Sequence, residues 1–238
     1  SDPTFQRVGN PALDPEYTHS FELGVSQLGN AYTLSLTPYY RHTVNEISWY
    51  EEITPEGVSI LTFRNYDTSD SWGLELIGSL NLGDWMRGNA SFNAFKQVTE
   101  AGNLESGLSS DAIGWMGRLQ TTFSITDGLE LQVSRFYRAP HDVPGGRRGS
   151  FGMTNLALSQ KMLDGRGQLS LRASDPFGQM GFQMQRDTDR FAQTFRRSWD
   201  AQSVQVSFRY NFGQQQRRSR DRDQERGGEG IEGGYGEM

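Results

Sequence analysis

The end of the patterned part of this chain leaves few folds open. From Ser203 to Phe212, Val204, Val206, Phe208, Tyr210 and Phe212 alternate strictly with Ser203, Gln205, Ser207, Arg209 and Asn211. One side is apolar and aromatic, the other polar and charged. This is the two-residue period of an extended strand with two unlike faces. Similar segments recur along the chain, joined alternately by tight turns and long polar loops. Such a set predicts an all-β fold: an antiparallel up-and-down transmembrane β-barrel with lipid outside and water inside.

The composition agrees. Hydrophobic residues are 34% of the 238, and the mean hydropathy is -0.67. A soluble domain of this length is normally richer in apolar residues. A barrel with a wet lumen need not be, because half of each strand faces water. Aromatics at 12% suit the interfacial girdles of such a barrel. No apolar run reaches the length of a membrane-spanning helix. A net charge of -6 with pI near 5.2 argues against nucleic acid as a partner. The chain has no cysteine, so neither a disulfide framework nor a thiolate metal site is available. It does not begin with Met, and Ser1 to Asp14 reads as the middle of a loop, so a targeting signal is expected upstream.

About nine long strands are expected. The first covers Tyr17 to Leu28 and turns at Gly29-Asn30. The second carries Tyr32, Leu34, Leu36 and Tyr40 on one face, and Pro38 within it predicts a bulge. A polar loop around Glu51 to Gly57 follows. The third strand runs through Trp72, Leu74, Leu76, Leu80 and Leu82 to a tight turn at Gly83-Asp84. Phe92 and Ala94 mark the fourth, Trp115, Leu119 and Phe123 the fifth, and Leu131, Val133 and Tyr137 the sixth. Loops at Glu100 to Ser110 and Ala139 to Gly149 separate strand pairs, and Thr126-Asp127-Gly128 is another turn. Leu156 and Leu158 lie on the seventh strand, Leu169 and Leu171 on the eighth. A polar excursion from Asp175-Pro176 to about Arg190 precedes the ninth. Turns after odd strands are short and loops after even strands are long, the asymmetry of outer-membrane barrels. A soluble β-sandwich also alternates, but with shorter strands and its apolar face turned inward.

Several motifs resemble the C-terminal barrel of TonB-dependent outer-membrane receptors. Gly9-Asn10-Pro11-Ala12-Leu13-Asp14-Pro15-Glu16-Tyr17 is similar to the segment that enters a barrel strand in that family, and Ser20-Phe21-Glu22-Leu23-Gly24 to the strand that follows. Tyr39-Tyr40-Arg41, Trp72-Gly73-Leu74-Glu75-Leu76 and Leu171-Arg172-Ala173-Ser174-Asp175-Pro176-Phe177 resemble later signatures in the same order. Phe208-Arg209-Tyr210-Asn211-Phe212-Gly213 resembles the terminal strand. The resemblance implies a division into an extracellular loop remnant at 1–16, the C-terminal part of an outer-membrane β-barrel at 17–213, and a disordered Gly/Arg/Glu-rich periplasmic tail at 214–238. Full-length relatives have about 22 strands around a plugged lumen, so nine strands are a partial barrel with open edges. The implied location is the bacterial outer membrane. The implied partners are membrane lipid, an upstream plug and the TonB energy-coupling protein. The implied work is energised uptake of a scarce ligand of the siderophore, cobalamin or oligosaccharide class. A passive or structural barrel and a secreted glycan-binding sandwich are the alternatives.

No catalytic motif is present, and none of the readings implies a cofactor. His19, His42 and His141 lack metal-ligand spacing, so no metal site is expected. Candidates for ligand contact come from the polar strand face and from one loop. They are Arg41, Glu75, Arg118 and Arg138 on strands, and His141, Arg147 and Arg148 in the loop Ala139 to Gly149. That loop could meet an anionic ligand, lipopolysaccharide phosphates or only solvent. Trp49, Tyr50, Trp72, Trp85, Trp115, Tyr137 and Trp199 are candidates for the interfacial girdles.

Overall fold

The computed structural model describes residues 5–106, 108–188 and 191–212. The expected periplasmic tail, 214–238, lies outside the described residues. Strands follow one another without an intervening helix. In the first part of the chain these are β1 (Phe5–Arg7), β2 (Tyr17–Glu22), β3 (Val25–Leu28), β4 (Tyr32–Val44), β5 (Ile47–Ile53), β6 (Ser59–Asn65), β7 (Thr68–Leu82), β8 (Met86–Glu100) and β9 (Ser109–Thr126). The second part holds β10 (Leu129–Arg138), β11 (His141–Val143), β12 (Gly146–Arg148), β13 (Phe151–Met162), β14 (Gly167–Ser174), β15 (Gly181–Thr188), β16 (Phe191–Ser198) and β17 (Ser203–Tyr210).

A ten-stranded antiparallel sheet has the order β17-β14-β13-β10-β9-β8-β7-β4-β2, with β3 also on β4. Glu22 faces Tyr39 and Val25 faces Leu36 in one unbroken register, so β2 and β3 are a single strand interrupted at Leu23–Gly24. The sheet therefore consists of the nine long strands expected from the alternation. β7 and β8 have 15 residues each and β9 has 18. Roughly 9–11 cross the hydrocarbon, so these three rise well above the membrane. β2 and β17 are the edges and do not pair with each other, which leaves an open segment of barrel wall.

Pro38 makes no bulge. β4 keeps one register against β7 along its whole length, with Pro38 opposite Leu74. The neighbour on the other side absorbs the missing donor instead: β2 stops at Glu22, and Leu23 N–H donates to the Pro38 carbonyl at 3.2 Å. The register shift in this sheet falls between Leu129 and Glu130.

The lower connections span 29–31, 83–85, 127–128 and 163–166. The turn after Leu82 is thus one residue longer than its Gly83-Asp84 signal implied. Leu163, Asp164 and Gly165 follow one another at φ of 56°, 53° and 82°, and this left-handed run lets four residues reverse the chain. The upper connections are not coil. Residues expected as the polar loop from Glu51 to Gly57 form the middle of a hairpin, β5–β6, that turns at Gly57 with φ of 82°. β1, inside the segment expected as loop, adds to β6 in parallel, so the antiparallel rule holds for the barrel sheet but not above it. The loop after β10 contains the small hairpin β11–β12, and the excursion after Asp175 is the hairpin β15–β16. These four strands form one sheet in the order β11-β12-β15-β16.

The burial pattern is inverted relative to a soluble domain. Among the described residues the buried hydrophobic ones are Tyr66, Ala101, Ala112 and Ala139. Large apolar side chains lie open instead: Leu74, Phe92, Leu119, Leu171 and Val206 are all exposed, and Val204 is 73% exposed. Register places them on one face, with Leu131 facing Leu158, Leu158 facing Leu171 and Leu171 facing Val206. The opposite face lines a concave trough bearing Thr33, Asn89, Gln120, Thr122, Gln132 and Arg172. A sandwich would hide the first face and wet the second. Only a lipid surround reverses both, which excludes the soluble sandwich.

Two aromatic belts bound the apolar face. Tyr40 faces Trp72 across β4 and β7, and the Trp115 ring lies 5.0 Å from Tyr137 and 5.8 Å from Phe92. Near the lower turns, Trp85 sits beside Phe123 at 6.5 Å and Tyr210 beside Phe212 at 4.6 Å. Trp49 is not a girdle residue. It packs on Phe63 at 3.8 Å within the hairpin above the membrane. This arrangement predicts that Leu171→Arg, on the lipid face, destabilises the folded barrel by about 2–4 kcal/mol. Gln205→Arg, on the wet face, should cost under about 1 kcal/mol. Denaturant titration in lipid vesicles, following the heat-modifiable folded band, measures both.

Candidate functional site

The wall below the mouth is built on a row of residues that crosses four strands. Tyr39 on β4 faces Gly73 on β7, Gly73 faces Phe95 on β8, and Phe95 faces Gly114 on β9. The rings lie over the glycines. A Cβ at Gly73 would sit 2.6 Å from the Tyr39 hydroxyl oxygen, and one at Gly114 2.6 Å from the Phe95 ring. Beyond Phe95 the His141 ring meets it edge-on at 6.1 Å. The row is an aromatic ledge on the lumen side that leads toward the loop Ala139 to Gly149.

The mouth above has a packed interior. Thr62, Tyr66, Ser69, Thr99, Ala101 and Asp175 are all buried there. Two hairpins from opposite ends of the sheet close over it. Arg186 on β15 bonds Glu51 on β5 at 2.8 Å, with side chains only 20% and 8% exposed. Ser59 donates a further hydrogen bond to Glu51. The Tyr66 hydroxyl donates to the Trp49 carbonyl at 2.9 Å, and burial pushes its pKa up to about 12. Burial likewise raises the Glu46 carboxyl, against a lowering hydrogen bond from Ser69. Glu51, Tyr66 and Arg186 carried no sequence signal of function, because their meeting depends on two hairpins whose tips are far apart in the chain.

Asp175 is a fixed point of this mouth. It is fully buried, at 0% exposure, with φ of 44°, and its carboxylate accepts the Gln179 N–H at 2.9 Å and the Met180 N–H at 3.0 Å. The Asp-Pro pair at 175–176 is thus a turn device that launches β15, which is the physical content of that motif.

The seven sequence candidates separate. Arg41 bonds Glu22 at 2.7 Å and stacks over Tyr39. Glu75 faces Thr37 and Asn93 on the lumen wall. Arg118 lies over the Phe136 ring at 5.8 Å. Arg147 bonds Asp142 at 2.8 Å. Arg138, at the top of β10, and Arg148, on β12, each bury a guanidinium Nε that finds no partner among the described residues. His141 faces Arg148 across the β11–β12 hairpin. Its pKa is lowered first by burial and then by Arg148 and Arg138, while a hydrogen bond to the Ala139 carbonyl and the charge of Asp142 oppose the shift. The structure thus brings Arg138, His141 and Arg148 together at the end of the ledge, with Arg147 already neutralised beside them. Arg41, Glu75 and Arg118 stand apart from this group on the strands.

With the fold and mouth in view, the relationships of the chain are clear. Residues 1–210 match the outer membrane protein beta-barrel family, and the chain belongs to it. It is an outer-membrane β-barrel protein of bacteria. Its fold is similar to that of the siderophore receptor PirA from Pseudomonas aeruginosa, at TM-score 0.51 and 16% identity over 87% of this chain and 32% of that one. It is also similar to the FrpB iron transporter from Neisseria meningitidis (F3-3 variant), at TM-score 0.50 and 13% identity over 87% of this chain and 33% of the other. The chain therefore spans about a third of the length of these structures. No curated protein sequence matches it.

Two outcomes follow for the mouth. Glu51→Ala leaves the half-buried Arg186 unpaired, at a cost of roughly 1–3 kcal/mol. Amide hydrogen exchange should then quicken in both β5–β6 and β15–β16, although only one of them is mutated. For His141, the depressed pKa means the folded hairpin binds fewer protons than the unfolded one. Its contribution to stability is full above pH 6.5 and declines as pH falls from there through the folded pKa. Exchange at 139–149, corrected for intrinsic rates, should rise between pH 7.5 and 5, and His141→Asn should remove that pH dependence.

Proposed function

We propose that this chain is barrel wall and extracellular mouth of a TonB-dependent receptor that takes up a scarce ligand across the outer membrane using energy from the inner membrane. The observation that carries this reading is the contrast between the two parts of one sheet. The membrane-crossing part is a wet, polar wall without a core, whereas the mouth is packed, ion-paired and closed over by hairpins. A barrel that only filled the membrane would have no use for a built mouth, since recognition sites sit on loops held by a rigid scaffold. The plug and the TonB contact of such a receptor belong to the rest of the machine. The similar structures are a siderophore receptor and an iron transporter, so ferric chelates are the first ligand class to try, ahead of cobalamin and oligosaccharides.

The test is uptake of radiolabelled iron-siderophore mixtures by iron-starved cells, with and without the gene and with and without a protonophore. Gene-dependent accumulation that stops when the proton gradient is collapsed is the expected result. Gene-dependent entry that ignores the protonophore would replace the reading with a passive barrel. No gene dependence for ferric chelates, with protonophore-sensitive uptake of cobalamin or an oligosaccharide, would keep the receptor and change its cargo.

A further inference from the structure

We infer that Arg138, Arg148 and His141 form a binding subsite for a multiply charged anion, a group carrying two or more carboxylate or phosphate oxygens. This rests on the receptor reading above and names the chemistry of its ligand.

Several cations on this barrel are answered by acids. Arg41 has Glu22, Arg64 has Glu52, Lys96 has Asp111, Arg147 has Asp142 and Arg186 has Glu51. Arg138 and Arg148 have no such ion pair among the described residues, and of the arginines without one only these two bury a guanidinium Nε that lacks a partner. The charge of Arg148 acts on Arg138, and both act on His141. Asp142 is the acid that stands nearest in sequence, and it is held by Arg147 at 2.8 Å. The Nε atom of each of the two guanidinium groups is enclosed by protein and lacks an acceptor. An enclosed donor without an acceptor is costly, and two like charges held together add to that cost. A bound oxyanion offsets the like charges by accepting from the terminal N–H groups of both guanidinium groups, whose paired donors match carboxylate and phosphate oxygens.

The surroundings say what else the ligand brings. Phe136 and Phe151 pack at 6.0 Å on the same lumen-side surface as Arg138, and Phe95 lies against His141. Arg118 sits over Phe136 one step along. The subsite is a cationic end to an aromatic ledge, which suits an anion attached to a flat or apolar body better than a bare ion. A neutral sugar brings hydroxyl acceptors but no charge to offset the two guanidinium groups. The loop was open to three readings from sequence, and this geometry favours an anionic ligand entering from the lumen side over a surface contact or plain solvation.

The experiment uses the full chain as the cell makes it, purified in detergent and checked for its heat-modifiable folded form. Pyrophosphate, citrate and the neutral trisaccharide maltotriose are titrated by calorimetry. Saturable binding of at least one anion and none of maltotriose is expected. Arg138→Gln with Arg148→Gln should weaken anion binding tenfold or more, as each charge-assisted pair is worth about that factor. Arg166→Gln, in the turn between β13 and β14 at the other end of the wall, should stay within twofold. If the double variant misfolds, Arg138→Lys with Arg148→Lys keeps the charge but loses the paired donors, and a drop of severalfold is expected from it. Failure of both anions to saturate, equal binding to the double variant, or binding of maltotriose as tight as that of the anions would each overturn the assignment. None of these readouts depends on the proton gradient. Anion binding without energised uptake would therefore remove the receptor reading alone, and energised uptake with no anion site would remove this inference alone.

Discussion

The constraint on which the rest of this structure depends is that hydrocarbon offers no hydrogen bonds. Every N–H and C=O at membrane depth must meet a partner in the chain itself, so the only extended solution is a continuous ladder of neighbouring strands. The register from β2 to β17 is that ladder. It explains why β4 runs straight past Pro38 and the neighbouring strand is the one that breaks. It explains why the lower connections are tight. It also explains the alternation, because once strands stand side by side each of them separates two solvents.

Above the membrane a different physics takes over. Water is available again, and side chains can be buried against one another. The buried set Thr62, Tyr66, Ser69, Thr99 and Asp175 gathers there, with Glu51 and Arg186 paired across two hairpins. Among the described residues the buried hydrophobic side chains, Tyr66, Ala101, Ala112 and Ala139, thus belong to the upper end of the sheet rather than to the wall that crosses the bilayer. Side-chain packing is placed at the mouth, and the wall below holds it at a fixed height.

Most of the wall was legible in the sequence, and the reason is physical. Val204 to Phe212 has lipid on one side and water on the other, so each residue records its own orientation. The mouth was less legible. Ile47, Trp49 and Ile53 do alternate on β5, but Glu51 interrupts them, and that same Glu51 turned out to be the buried partner of Arg186. A charged residue inside a mixed stretch reads as loop until its distant partner is known. The expected bulge at Pro38 failed because the proline rule speaks of a missing donor, not of which strand yields. All seven candidate positions lie in wall or mouth. Only the three-dimensional pairing of Arg147 with Asp142 separates it from the neighbouring Arg148.

The alternating row Tyr39, Gly73, Phe95, Gly114 has a consequence for the dimensions of the whole barrel. Each ring occupies the place of a neighbour's absent Cβ, so it works as a detent. A slip of two residues along β7 would set Ser71 or Glu75 beneath Tyr39, where a side chain already fills the space. β7 is therefore gauged against β4 and β9 against β8, which checks the stagger at these two pairings. In a barrel, strand number and total stagger together determine the tilt and the diameter. Two aromatic rings resting on two glycines thus help to set the bore of the barrel.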